Sequence, residues 1–477
     1  MTEAPRIRVL AIEPYERTFR LRLPFRFGNT TVTHGTQIIM RARIATQDGR
    51  EGWGYTSESI ASRWFDKNPA LSDQQAADQM RTAVLIAQDA YLAAGANTPF
   101  GHYADLYNGQ IEACAKRGLL PLVASYGPAL IDRCIIDAIC RLEGISFYRA
   151  MQQNVPGMAP HAVAPDLAGF DFAAFLKTLK PANVIEARHT VGLLDPLVAS
   201  DQKAGERVDD GLPETLEEVI AAYGHRYFKL KVGGDLEADI DRLCRIASVI
   251  ARVPDYRVTI DGNEQYENAE AALTLWRAIE NEPKLKQLAA ATLFVEQPIK
   301  RQTALEASVA PFAAAKAVII DESDGEIDTF VRAKALGYAG ISSKVCKGFY
   351  KSTINRIRCA QWNAAEGHEH YFMSAEDLTV HAGTSVQQDL ALVNLLGLRH
   401  VERNGHHFID GFADRPESES RAFLTAHPDL YHEQSGRVRL NIRDGKLNIA
   451  SLDCVGMGAL PTPSVEGLKA MPQPASA

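Results

Sequence analysis

The 477-residue chain carries 51 basic and 59 acidic side chains, a formal net charge of −8, with 46% hydrophobic and 23% charged residues. That composition excludes a disordered chain, and the length exceeds one small core, so two or three compact units are expected. The acidic balance, with a pI near 5.9, argues against a nucleic-acid or anionic-membrane binder but leaves room for a small anionic substrate in a locally positive site.

The seven cysteines (114, 134, 140, 244, 346, 359 and 454) form no Cys-x-x-Cys pair, which suits reduced thiols in a cytosol. The N-terminus lacks the apolar core of a signal peptide, and no apolar run approaches the ~18 residues of a membrane span. A cytoplasmic protein with no membrane partner is therefore expected.

In chain order, the first sixty residues read as strands: LRLPFRFGN and TQIIMRARIAT alternate apolar and polar, and Asp48-Gly49 turns into EGWGY. Helical patterning runs from about Leu71 to Cys140, with a break near Gly95–Gly101. The stretch 128–152 reads as one long, mostly buried helix. From about Asn183, short apolar strands alternate with amphipathic helices, beginning with VIEARHTVG and RYFKLKVGG and ending with HYFMSAED and LRHVE. TALEASVAPFAAA, at 303–315, is the helix expected after the fourth strand. Eight such units at about 30 residues each predict an α/β fold of the (β/α)8 TIM-barrel type. A doubly wound sheet offers no Gly-x-Gly-x-x-Gly turn in its support. Beyond Asp410, VRLNI and KLNIA form a strand pair expected to pack on the N-terminal β unit, and the Pro- and Ser-rich tail after Pro461 is expected to fray.

The charges at the strand ends carry the functional signal, because barrels of this kind build their sites there. Lys229 and Lys231 close the second strand, Asp261 the third, Glu296 the fourth, Asp321 the fifth and Lys344 the sixth. Asp261, Glu296 and Asp321 are three hard oxygen donors with no His or Cys companion, a set that selects Mg²⁺, or Mn²⁺, over zinc. Lys229 and Lys231 share one face of their strand, and two ammonium groups side by side favour the neutral form of one, a general base. Lys344 would approach from across the barrel. A metal that takes a substrate carboxylate, with lysines on either side, points to abstraction of the proton alpha to that carboxylate through an enediolate.

Phe-Lys-Leu-Lys-Val-Gly, Asp261-Gly-Asn263, Val-Glu296-Gln-Pro298, Asp321-Glu-Ser323 and Ser-Ser-Lys344 together resemble the enolase superfamily, and within it the muconate-lactonizing subgroup of the mandelate racemase/muconate lactonizing enzyme family. The resemblance implies an N-terminal α+β capping domain over 1–157, a barrel over 158–409 of (β/α)8 or (β/α)7β form, and a segment 410–477 returning to the cap. It implies Asp261, Glu296 and Asp321 as magnesium ligands, Lys231 and Lys344 as opposed acid/base groups, and Lys229 as an electrostatic partner of the substrate carboxylate. Asn263, Ser374, Glu376, Arg188, Phe25 and Tyr55 are the implied substrate contacts, with Pro24–Thr33 and Gly52–Asp66 as closing loops. Asp137, on the long N-terminal helix, falls where the family often has an acidic residue. An isomerase or lyase (racemase or epimerase, cycloisomerase or dehydrating synthase) that is a homo-oligomer is the implied activity.

Departures narrow this reading. Val-Cys-Lys347-Gly follows Lys344 in place of a Gly-Gly pair, and the segment after Glu402 lacks the Asp-x-Asp associated with dipeptide epimerases. No His ends the seventh strand, as it would in acid-sugar dehydratases of the same superfamily, which stand as one alternative. A class I Schiff-base aldolase-like barrel is another. A serine hydrolase lacks its Gly-x-Ser-x-Gly elbow. His189, beside Arg188, is a candidate for a second substrate anion. His368-Glu369-His370 is expected at the face opposite the site, and His406-His407 at the surface or an oligomer contact.

Overall fold

The computed structural model describes residues 4–27, 30–203, 205–412 and 415–474. The chain opens with an antiparallel meander: β1 (Ile7–Phe27), β2 (Thr30–Thr46) and β3 (Glu51–Ser59). Alternation along β2 buries Ile38, Met40, Ala42 and Ile44 against the helices Asp73–Ala93 and Tyr126–Glu143. The first of these starts with a capping box, in which Ser72 and Gln75 each satisfy the other's backbone N–H. The second lies so close to β3 that a Cβ on Gly54 would come within 1.9 Å of the Cys134 carbonyl oxygen. Only glycine permits that approach.

The single helix expected over 128–152 is two. Gly144, at φ 63°, ends the first with a left-handed residue, and Ser146 caps a second, Phe147–Gln152.

Eight parallel strands then close a barrel: β4 (Val184–Val191), β5 (Tyr227–Lys231), β6 (Arg257–Asp261), β7 (Thr292–Glu296), β8 (Val318–Ile320), β9 (Gly340–Ser343), β10 (Phe372–Ala375) and β11 (His400–Arg403). Closure is the β11–β4 pairing, with Glu402 opposite Arg188. The TIM barrel expected from the alternation is found, with the cap that the resemblance implied. Phe228, Leu230, Val258 and Ile260 point outward into the main core, with Leu243, Ile246 and Trp276 of the surrounding helices. Their neighbours Lys229, Lys231, Thr259 and Asp261 therefore face inward, in register across β5 and β6.

The helix expected over 303–315 shrinks to Ala310–Ala313, where Pro311, without an N–H and with a fixed φ, sits in the first turn. Turns occupy the preceding stretch.

The C-terminal region corrects two expectations. VRLNI divides into the end of β13 (Arg437–Leu440), paired with β12 (Tyr431–Gln434), and β14 (Ile442–Arg443), while β15 (Lys446–Asn448) pairs antiparallel with the start of β4. The strand pair thus joins the barrel and not the N-terminal sheet, because β4 begins before β5 reaches it and leaves its first residues unpaired on that side. The tail after Pro461 does not fray over its described residues, to 474. Its β16 (Lys469–Ala470) pairs with Tyr15 and Glu16 of β1, and Met471, 7% exposed, lies in the cap core. The seven cysteines are free, and among the described residues no helix is long and apolar enough to cross a membrane.

Met471→Ala should cost about 2 kcal/mol of stability, read from urea unfolding, since it empties a core position. A loose tail would give no change.

Candidate active site

All six rim charges converge at the C-terminal mouth of the barrel, under the meander. Lys229 Nζ sits among four carboxylates: Asp261 Oδ2 at 2.9 Å, Glu296 at 2.9 Å, Glu376 Oε2 at 2.8 Å and Glu402 Oε2 at 3.0 Å. Lys231 Nζ donates to Asp261 Oδ2 and to Asn263 Oδ1, both at 2.5 Å. Opposite them, Lys344 Nζ lies 2.9 Å from Asp321 Oδ2 and 4.4 Å above the ring of Trp64. Lys347 holds the other oxygen of Asp321 at 3.2 Å and Ser342 Oγ at 2.8 Å.

The backbone at these strand ends is strained. Asn263, Glu264 and Gln297, none of them glycine, have φ of 40°, 69° and 32°, conformations retained where surrounding contacts over-determine them. Gln297 supplies such contacts. Its side-chain oxygen accepts the N–H groups of Asp321 and Ser323, and its amide nitrogen donates to Ile299 O and Ser323 Oγ. The end of β7 thereby fixes where the Asp321 backbone sits.

A cavity of about 340 Å³ opens above this floor. Lys229, Lys231, Asp261, Asn263 and Lys344 line it from the barrel, and Phe25 from β1. Glu296 and Asp321 lie behind the lysines, fully buried. The other expected substrate contacts do not reach the cavity. Arg188 is 0% exposed, its guanidinium spent on Glu376, Ser374 Oγ, the Ala375 carbonyl and His400. Ser374 donates to Glu376 Oε1, and Glu376 serves Lys229. Tyr55 is occupied in the cap, where its N–H donates to Asp137 and its carbonyl accepts Gln388. Asp137 also accepts the Met457 N–H and Arg141, so this acid stitches cap to C-terminal segment.

Several lining groups escaped sequence reasoning. Glu402, at the end of β11, and Asn404 after it both line the cavity; extending the strand-end rule to the eighth strand would have found Glu402. Asp377, one residue beyond Glu376, also lines it. The closing loops do contribute: Thr30–Thr36 and Ser59–Trp64 form walls, while Gly28 and Asn29 of the first loop lie outside the described residues. The second loop is locked to the rim. Arg301 donates to the carbonyls of Trp64 and Phe65 at 2.8 and 2.7 Å while gripping Glu264 with two nitrogens. Lys67 completes the clamp, 2.5 Å from Glu264 and donating to Asn263 O.

Electrostatics correct one expectation. Pairing with Lys231 does not make Lys229 a neutral amine here. Against burial, which alone would lower it, Asp261, Glu296, Glu376 and Glu402 hold Lys229 well above the usual lysine range, and Asp321 does the same for Lys344. Against burial in turn, the lysines hold Asp261 and Asp321 below the carboxylate range, and Glu402 well below it. Glu296 is the exception: although Lys229 Nζ lies 2.9 Å from both its oxygens, burial, then repulsion from Asp261 and Glu376, pushes it well up. That crowding of negative charge beside Asp261 marks where added positive charge would be welcome. The oxygen-only donors Asp261, Glu296 and Asp321 thus fit a hard divalent cation such as Mg²⁺, although here the lysine ammonium groups stand between them. His368 and His370, before β10, are exposed. His406 and His407, expected at the surface, are instead 9% and 2% exposed, because the short helix Gly405–Phe408 tucks against the outside of β4.

Residues 211–354 match the family model described as enolase C-terminal domain-like. No curated protein matches the chain. Among solved structures, the L-Ala-D/L-Glu epimerase from Bacillus subtilis is 16% identical, with a TM-score of 0.56 over 95% of this chain and 99% of the other. The muconate lactonizing enzyme from Pseudomonas fluorescens is 15% identical, with a TM-score of 0.56 over 97% of each chain. An enolase from Bradyrhizobium complexed with magnesium and mandelic acid is 16% identical, with a TM-score of 0.57 over 96% of each. The rim motifs' resemblance to the enolase superfamily thus meets a family model over 211–354 and solved structures that share the fold over most of the chain.

Arg301→Ala should speed hydrogen exchange at the Trp64–Asp66 amides at least about tenfold, since removing one partner of a buried ion pair costs about 3 kcal/mol. Unchanged exchange would show that Arg301 does not pin the loop.

Proposed function

We propose that the chain is an enolase-superfamily enzyme that removes and returns the proton alpha to a substrate carboxylate, as an isomerase or lyase. One observation carries this reading. Lys231 and Lys344 enter one cavity from β5 and β9, the second and sixth strands of eight, and so approach a bound substrate from opposite faces.

In this reading a carboxylate enters the positive end of the cavity, drawn by Lys229, Lys231 and Lys344. The alpha carbon then lies between the Nζ atoms of Lys231 and Lys344. Lys231, in its neutral form, accepts the alpha proton, and the electron pair moves into the carboxylate as an enediolate. Lys344, as ammonium, delivers a proton from the other face, giving the epimer, or assists departure of a group beta to the carboxylate. A Mg²⁺ ion held by Asp261, Glu296 and Asp321 would supply the charge that makes the alpha proton acidic. Asn263 orients Lys231 through its side-chain oxygen, and Trp64 covers Lys344 from solvent.

The rest of the cavity narrows the substrate. Its outer walls include Phe19, Phe25 and Phe27, which suit an apolar substituent. The Glu402 carboxylate is spent on Lys229, Thr190, Asn404 and the Asp377 N–H, leaving it no capacity for a substrate ammonium. A carboxylate with an apolar end therefore fits better than a dipeptide. A Schiff-base aldolase needs a readily deprotonated lysine, and the raised Lys229 and Lys344 argue against it.

A panel of carboxylates in deuterium oxide, read by mass spectrometry, should reveal at least one that gains alpha deuterium. Lys231→Ala and Lys344→Ala should each slow that exchange by about 10³-fold or more with the fold intact; unaltered exchange in both would sink the two-lysine assignment. Chelation with EDTA should abolish turnover and Mg²⁺ should restore it, whereas full activity in metal-free protein would remove the carboxylates from a metal role.

A further inference from the structure

Outside the barrel wall, three histidines meet that the proposed reaction does not use. His189 points away from the barrel interior, because its neighbours Arg188 and Thr190 point in toward Glu376 and Glu402. His225 comes from the turn before β5, and His406 from the helix after β11. Their ring centroids are 5.3, 5.6 and 5.8 Å apart. One ligating nitrogen from each lies within 4.8 Å of those of the other two, and among the described residues no other group of three His, Cys, Asp or Glu does this.

The nitrogens themselves are the second observation. His225 is 0% exposed, and its Nδ1 lies 2.9 Å from the Ala187 carbonyl oxygen, so Nδ1 carries the proton and Nε2 presents a bare lone pair. That Nε2 is buried without a partner. A carbonyl fixing one ring nitrogen while the other faces an empty centre is the arrangement found around metal-bound histidine. His189 Nδ1 and both nitrogens of His406 are likewise buried and partnerless. Histidines that merely filled a core would bond to one another or to the backbone, since each stranded nitrogen is costly. Burial also lowers all three from the usual histidine range, keeping the rings neutral as ligands must be.

We propose that His189, His225 and His406 bind a late transition metal ion, Zn²⁺ in the first instance, at a structural site on the outer wall of the barrel. Three imidazoles without a carboxylate suit Zn²⁺ and exclude Mg²⁺. Tetrahedral bonds of about 2.0 Å place ligating nitrogens about 3.3 Å apart, a separation that small ring rotations would give. A cavity of 10 Å³ beside His406 and Tyr223 has room for about one water as fourth ligand and none for a substrate. Arg22, near His407, brings a positive charge, but Asp210 pairs with it at 2.5 Å. The ion would tie β4, the entry to β5 and the exit from β11 together, behind the residues that hold Glu376 and Glu402.

The test uses the full chain, stripped by chelation and kept in excess Mg²⁺ so that hard-cation sites are filled. Added Co²⁺ should give the intense visible bands of a four-coordinate ion at one equivalent, and Zn²⁺ should abolish them and raise the thermal midpoint by about 3 °C or more. His406→Ala, at the least buried of the three, should weaken Co²⁺ binding by about 100-fold, with His406→Asn replacing it should the alanine variant not fold. Lys344→Ala should leave the cobalt spectrum unchanged, which separates this site from the barrel mouth. A six-coordinate cobalt spectrum in the unsubstituted protein, or equal binding by the His406 variant, overturns the proposal.

Discussion

One ammonium group organises the barrel mouth. Lys229, 1% exposed, lies within 3.0 Å of carboxylates from β6, β7 and β11 and from just beyond β10. A buried carboxylate without compensation would be protonated, and a buried lysine without compensation would be neutral. Packed together, they keep one another charged, and the penalty of separating them is large because water cannot reach in to replace either partner. The four strand ends are thus bound at one point. Asp261 and Glu376 crowd Glu296 within that cluster, so the same arrangement that stabilises the floor also leaves an appetite for more positive charge.

The cap depends on this floor as much as it covers it. The loop bearing Trp64 is held by Arg301 and Lys67, both of which converge on Glu264. Glu264 follows Asp261 and Asn263 on one strained turn after β6. The turn that presents Asn263 to Lys231 therefore also carries the latch of the Trp64 loop, so a shift in one moves the other. At the far side, Asp137 in the cap accepts Met457 from the C-terminal segment, a second tether between the two cores.

Much of this was legible in the sequence where a local rule suffices. Short apolar runs alternating with amphipathic helices marked the barrel strands, and the convention that barrel sites lie at strand ends picked out Lys229, Lys231, Asp261, Glu296, Asp321 and Lys344. What was not legible depended on long-range register or on sharing of partners. Arg188 reads as an available rim cation until β10 places Glu376 and Ser374 against it. The outward facing of His189 follows from the pairing of Thr190 with Lys229, which one strand alone does not reveal. The ordered tail rests on a pairing of two residues with β1, too short for any periodicity. The raised lysines follow from how many carboxylates surround each one, a count that only packing sets.

The placement of β16 has a consequence for the order in which the molecule can be assembled. Residues 469–471 complete the edge of a sheet whose other strands end by residue 59, and β1, on which they lie, runs on into the hairpin that walls the cavity. During synthesis the barrel can close once β11 has emerged, while the cap sheet still exposes one side of Tyr15 and Glu16 to solvent. The charged groups of the barrel mouth therefore come together before their roof is finished. Until residues 469–471 emerge, the chain can have its barrel formed and its cap sheet lacking a strand, an unpaired edge open to any chaperone or neighbouring chain that recognises one.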